Sequence, residues 1–318
     1  MTAQNDHDAE YRSASLSQET WETLVDSIKA QECTPFLGAG IAVPHLPTGR
    51  ALATALASEF EYPLEDVTNL ARVTQYIASL RQPAFVKRRV CKAIRDAQEA
   101  SAAELGGNLP ENYLRLARLE LPIYVTTNYD DYLQRALVAA GRSVPSVEVC
   151  RWNDELVAEL PPYPAAEPTA EAPMVFHLHG HSERAGSILV TEDDYIDFTV
   201  SLAERATGKN AVIPHFTRRA LGHTNLLFIG YSLEDWNFRV MMRYLMKQQR
   251  VQPHGQRSSI SIQLSDHRMS PERRIRAERF LEAYLLRTSK IEVYWGTATS
   301  FLADLEVRLQ PATVGGVA

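Results

Sequence analysis

"PIYVTTNYDDYLQRAL", residues 122–137, changes its period halfway along. Ile123, Tyr124 and Val125 are adjacent β-branched or aromatic residues, the composition of a short buried strand. Thr126, Thr127 and Asn128 end that run, and from Tyr132 the apolar residues Leu133, Ala136 and Leu137 recur at helical spacing. A buried strand that passes through a polar loop into a helix is the repeating unit of a parallel sheet covered on both faces.

The unit recurs on either side. In "CTPFLGAGIAVP", 33–44, a short apolar strand from Pro35 to Leu37 runs into Gly38-Ala39-Gly40, with the next helix expected over 49–60. In "NLLFIGYSLEDW", 225–236, an apolar strand at 226–229 meets a glycine turn at 230 and then a helix. "MVFHLHG", 174–180, reads as a strand, and "SILVTEDDYIDF", 187–198, as a strand-to-helix passage with Thr191 its N-cap candidate. "SSISIQL" and "KIEVYWG" supply two late strands, and "SFLADLEVRLQ" a C-terminal helix. Between about 66 and 120 apolar residues fall three or four apart, which adds helices without adding strands. Residues 158–173 carry five prolines and no periodicity, so a surface loop is expected there. The fold class that follows is α/β: a doubly wound, Rossmann-like parallel sheet with a helical insertion. A flexible tail over 1–16 would precede one domain over 17–318.

Bulk properties narrow the function. The 318 residues are 45% apolar and 23% charged, ordinary values for a globular chain. A net charge of −6 and a pI near 5.9 argue against a broad phosphate-neutralising surface, so no direct nucleic-acid binding is expected. Cys33, Cys91 and Cys150 are too far apart for a zinc ribbon or a disulfide framework. The polar, acidic N-terminus lacks the pattern of a signal peptide, and no apolar run approaches a membrane span. A soluble, reducing, cytoplasmic setting is the expectation.

Four short motifs carry chemistry. Gly38-Ala39-Gly40 ends a strand, where backbone N–H groups can approach an anion; the plain alternative is a turn that needs glycine. Thr126 to Asp130 lies at the C-terminal end of a strand, the edge where open α/β sheets bind ligands. Thr127 or Asn128 as a helix cap would explain one polar side chain of that loop, but not the cluster of Thr126, Asn128 and Asp130. "FHLHGH", 176–181, alternates three of nine histidines, so His177, His179 and His181 are expected on one strand face. Metal is the weakest reading, since ladder neighbours lie about 7 Å apart and further ligands are lacking. His179, where the strand emerges at the ligand edge, is the candidate general base. His177 is expected as its buried, hydrogen-bonded neighbour, with His181 already solvated. Gly230 and Ser232 open another helix, where the functional reading puts them on a ribose or phosphate and the plain one makes them a capped turn.

In this order the motifs resemble the sirtuin superfamily. "FLGAG", "TTNYD", "HLHG", "TEDDY" and "LFIGYSLEDWNFR" look most like its bacterial sirtuin-like branch, found in antiphage defence proteins. The resemblance implies that Gly38, Ala39, Gly40 and Ile41 form an NAD pyrophosphate loop and part of the nicotinamide wall. It implies that Asn128 holds the attacking water or the nicotinamide ribose, with Thr127 and Asp130 in the same cofactor-binding loop and Asp130 near the carboxamide. His179 would act on the ribose hydroxyls, and Gly230 and Ser232 would contact the adenosine half. True sirtuins carry two cysteine pairs for zinc, which this chain lacks, and "HLPTGR" stands where they have a different segment. NAD hydrolysis to ADP-ribose and nicotinamide, in an abortive-infection effector, is therefore the implied activity, with NAD as substrate and no metal. The alternatives are a protein deacylase, an ADP-ribosyltransferase, or a non-catalytic NAD or ADP-ribose sensor. A free NAD hydrolase would kill its host. Gating is expected through a homo-oligomer or a separately encoded activator such as a HerA-type ATPase or Argonaute-like protein. The basic stretch 271–280 is a candidate interface, against the plain reading of a solvated face.

Overall fold

The computed structural model describes residues 16–208, 210–231, 259–265 and 269–310. Seven strands form one sheet: β1 Cys33–Leu37, β2 Ile123–Thr126, β3 Ser146–Val149, β4 Met174–His177, β5 Asn225–Ile229, β6 Ser259–Gln263 and β7 Ile291–Trp295. Their order is β3-β4-β2-β1-β5-β6-β7, and every pairing is parallel. From β1 the chain adds β2 beside it, continues to β3 at the edge, returns to place β4 between β2 and β3, and then crosses to β5 on the other side of β1. That reversal of direction falls between β1 and β5, the topological switch point near which doubly wound sheets take ligands.

Strand alternation sorts the apolar residues onto two faces. Leu37, Tyr124, Val175, Leu227, Ile229 and Ile260 pack beneath α1 (Gln18–Lys29), α5 (Glu111–Ala117), α6 (Tyr132–Ala139) and α11 (Ala298–Leu309). Phe36, Val125, Phe176, Leu226 and Phe228 pack on the opposite face, against α7 (Asp154–Glu159), α8 (Glu192–Glu204), α9 (His215–His223) and α10 (Pro271–Ser289). A third core joins α2 (Gly49–Glu59), α3 (Leu70–Leu80) and α4 (Pro83–Glu104), with Ile188 and Val190 as its link to the sheet layer. Each such side chain, fully buried, contributes about 1.5–3 kcal/mol of transfer free energy.

The helical segment is tied to the region that follows β4. Lys87 of α4 and Asp194 of α8 form a buried ion pair at 2.7 Å. Thr74 donates to the Val190 carbonyl, and Arg95 to the Ser182 carbonyl. Thr191 is the N-cap of α8, and Asp194 completes a reciprocal capping box. Ile188 to Val190 are buried but form no strand, so the passage into α8 is an extended segment held by the third core. β3 has no counterpart in the sequence reading: its four residues are half-exposed at the sheet edge, which leaves no apolar run to find. Helix α10 buries only Leu285 of its nineteen residues, the pattern of a solvated surface helix. No helix among the described residues is long and apolar enough to cross a membrane. Ser232 and the helix expected after it lie outside the described residues.

Candidate functional site

The glycine loop after β1 and the turn after β5 meet backbone to backbone. The Gly38 amide donates to the Ile229 carbonyl, and the Gly40 amide to the Gly230 carbonyl, both at 2.9 Å. A Cβ on Gly38 would lie 2.7 Å from the Gly230 oxygen, and one on Gly40 would lie 2.8 Å from the Gly230 Cα. Gly230 itself has φ +78°, open to glycine at little cost. The Ile41 amide returns to the Gly38 carbonyl at 3.2 Å, and Ala39 to Ala42 form a single 3₁₀ turn, with the first full helix starting only at Gly49. Three amides of this loop, those of Gly38, Gly40 and Ile41, are paired within the protein. Glycine is required here because two loops cross without room for a side chain.

Beyond β2 the loop turns back toward this crossing. Asn128 is 8% exposed, and its Nδ2 donates to the Gly38 carbonyl and to the Tyr113 hydroxyl, each at 3.2 Å. Tyr113, from α5, donates in turn to Asp130 Oδ2 at 3.3 Å. Asp130 Oδ1 accepts the Tyr132 amide at 3.1 Å and so serves the start of α6; neither Thr127 nor Asn128 caps that helix. The Tyr231 hydroxyl bonds Thr127 Oγ1, which ties the β5 turn to the β2 loop. Burial raises the Asp130 carboxyl to about 6, opposed by its hydrogen bonds from Tyr132 and Tyr113. Burial likewise pushes the Tyr113 phenol well up, with the Asp130 charge adding to it.

The histidines do not share one face. β4 ends at His177, whose strand partner is Thr126, and the Leu178 amide makes the next cross-strand bond, to the Thr126 carbonyl. β2 leaves the sheet there, so Leu178 and His179 form a turn and the alternation stops. His177 is fully buried, with Nδ1 3.0 Å from the Asn128 carbonyl. A carbonyl only accepts, which sets the tautomer as Nδ1–H and leaves Nε2 buried and unpaired. His181 is 6% exposed rather than solvated: its ring meets that of His177 edge-on at 4.6 Å, and Gln134 and the Glu183 amide hold its nitrogens. Gly180, at φ +86°, lets the chain fold His181 back inward.

His179 goes elsewhere. Its half-buried imidazole sits edge-on to Tyr195 and Phe198 of α8, with ring centroids 5.5 and 6.2 Å away. It makes no side-chain hydrogen bond among the described residues. Loss of water pushes it down to about 3, so the ring stays neutral throughout the physiological range. Asn128 and His179 thus stand at matching places, each two residues beyond the paired Thr126 and His177 of adjacent strands. Asn128, however, bonds to Tyr113 of α5 and His179 packs against Tyr195 and Phe198 of α8, helices on opposite faces of the sheet. Tyr113 escaped the sequence reading. It lies in an ordinary amphipathic stretch, "NYLRLARL", where only its contacts reveal a polar task. Among the described residues no group of three or more His, Cys, Asp or Glu side chains could hold a metal ion.

The model of the SIR2-like domain matches residues 122–289, more than half the chain and the stretch that carries β2 to α10. The chain belongs to the SIR2-like domain family. Among curated proteins, this SIR2-like chain is 28% identical over 201 residues to the NAD(+) hydrolase ThsA of Cytobacillus dafuensis, covering 63% of this chain and 35% of that protein. It is 21% identical over 217 residues to the NAD(+) hydrolase ThsA of Acinetobacter baumannii (strain 532279), covering 68% of this chain and 39% of the relative. The chain therefore spans somewhat more than a third of the length of the curated relatives it matches.

Proposed function

We propose that this sheet edge cleaves the nicotinamide–ribose bond of NAD, with water as acceptor and ADP-ribose and nicotinamide as products. The observation that carries the reading is that Asn128 and His179 each follow the carboxyl end of one of two adjacent strands, β2 and β4, in a SIR2-like chain similar to proteins named NAD(+) hydrolases. In the reaction the bond between the ribose anomeric carbon and the pyridinium nitrogen breaks, and its electron pair neutralises the nicotinamide ring. Positive charge grows on the sugar; a neutral imidazole at 179 accepts a hydroxyl proton and eases that growth. Asn128 is neutral at every pH and orients water without competing as a nucleophile. The water oxygen closes on the anomeric carbon and releases its proton. Cofactor contacts are assigned to the loops of Gly38 to Ile41, Thr127, Asp130, Gly230 and Ser232.

In its cellular setting the activity belongs to an antiphage effector that depletes NAD once switched on, through self-assembly or a separate activator protein. The test is nicotinamide release from NAD by the purified chain, alone and across protein concentration. Release is expected, with Asn128→Ala and His179→Ala each about 100-fold or more slower. Release that survives both substitutions moves the site elsewhere. Absence of both release and calorimetric NAD binding discards the reading.

A further inference from the structure

We propose that Tyr113, backed by Asp130, is a positioning residue that dictates which atom of the Asn128 carboxamide faces the ligand. The inference rests on Asn128 as the water-orienting group and goes beyond it by naming what sets its orientation. The case is an accounting of donors and acceptors. An ionised carboxylate at 130 only accepts, so the single hydroxyl proton of Tyr113 points to Asp130 Oδ2. The Tyr113 oxygen then has only lone pairs for Asn128 and calls for its NH₂ group. The Gly38 carbonyl, also an acceptor, takes the second N–H. Both amide protons are consumed inward. Asn128 Oδ1 has no partner among the described residues and is not sealed from solvent, so it is the atom left to accept a hydrogen bond from water or a ribose hydroxyl.

The carboxamide thereby acquires a defined sense, which a free asparagine lacks. The same chain of bonds makes the sense depend on protonation. The titratable groups around Asp130 are Tyr113 from α5, Tyr132 and Asp131 from its own loop and helix, and His177 from β4 on the far side of Asn128. Asp131 is itself held by Gln98 of α4 and Arg135 of α6. A protonated Asp130 donates to the Tyr113 oxygen, which turns the phenolic hydrogen toward Asn128. Tyr113 then calls for Oδ1 while the Gly38 carbonyl still calls for NH₂. The two anchors conflict, and the carboxamide loosens. With the carboxyl near 6, this conflict appears as pH falls through that value.

The experiment follows nicotinamide release by the full chain between pH 5 and 9, for wild type, Tyr113→Phe and Asp130→Asn, with Asn128→Ala as the site control. In wild type kcat is expected to rise through about pH 6 and then level. Tyr113→Phe is expected to lower kcat at pH 8 about tenfold with little change in KM, and to lose the step at pH 6. Asp130→Asn is expected to lose the same step. A Tyr113→Phe enzyme with wild-type kcat and an unaltered pH profile, beside an inactive Asn128→Ala, overturns the inference and leaves NAD cleavage standing. A second arm needs no turnover: the side-chain amide resonances of Asn128 in the free protein should move with pH near 6 in wild type and stay fixed in Tyr113→Phe. If wild type releases no nicotinamide, the functional reading fails and this arm alone decides. Wild-type resonances that ignore pH then refute the positioning role.

Discussion

Two loops leave adjacent strands at matching heights and arrive in opposite surroundings. Asn128 is wired: both amide protons are taken, its backbone amide is held by Thr126, and its carbonyl meets His177. His179 is greased: two aromatic rings from α8 hold it, without a side-chain hydrogen bond among the described residues. The difference teaches how a fold can prepare two kinds of polar group. A carboxamide has two chemically distinct ends and needs hydrogen bonds to choose between them. An imidazole meant to stay neutral needs only the loss of water, which penalises its cation.

The strongest way to break the comparison is through the glycines that hold each side. Gly230→Ala forces a side chain at φ +78° and 2.6 Å from the Gly38 carbonyl oxygen, the very acceptor that anchors Asn128. Gly180→Ala does the same on the histidine side, at φ +86° and 2.6 Å from the Ile188 amide. Each is expected to cost about 3–5 kcal/mol, seen as a large loss of urea midpoint. A variant of either kind that unfolds at the wild-type midpoint would show that the loops part easily and that the crossing is not a constraint.

A gentler change sharpens the histidine side. Phe198→Leu keeps the core apolar but trims one of the two rings that shield His179. A loss of about 1–2 kcal/mol is expected, small enough to keep the protein folded. With water admitted, the His179 titration followed by NMR should climb from about 3 toward the ordinary value, while the Asn128 amide signals stay in place. If both signals respond equally, the two surroundings are one coupled network and the contrast drawn between them is mistaken.

How much of this was legible in the sequence follows from the same contrast. Apolar runs mark β1, β2, β4, β5 and β7 and strict alternation marks β6, so these were readable, whereas β3 was hidden by its half-exposed edge position. Thr191 was readable as a cap because a capping box is local. The shared face of the three histidines was misread because alternation holds only while a strand has a neighbour, and β2 departs after Thr126. Gly38 and Gly40 were legible as special, but their reason lies nearly two hundred residues away at Gly230, beyond the reach of any local pattern. Tyr113 was invisible for a related cause: its hydroxyl meets the β2 loop only after α5 has packed on the sheet.

A pH-dependent effect separates stability from function at the wired side. Burial raises the folded-state carboxyl of Asp130 to about 6, above its ordinary 3.8. A raised acid is stabilising while protonated, so its contribution is whole below about pH 4 and is lost as pH climbs through 6. Above that the fold carries the cost of a buried charge, offset in part by the hydrogen bonds from Tyr113 and Tyr132. Asp130→Asn removes the charge while keeping the shape. It should match wild type at pH 4, gain on it between 4 and 6, and hold a constant advantage of about 3 kcal/mol at pH 8, by chemical denaturation. The same variant is expected to lose the kinetic step. A protein made more stable and less able by one atom's exchange would mean that the carboxylate is kept for the direction it imposes on Tyr113. A variant less stable than wild type at pH 8 would mean instead that the charge-assisted bonds outweigh burial, and that Asp130 belongs to the scaffold.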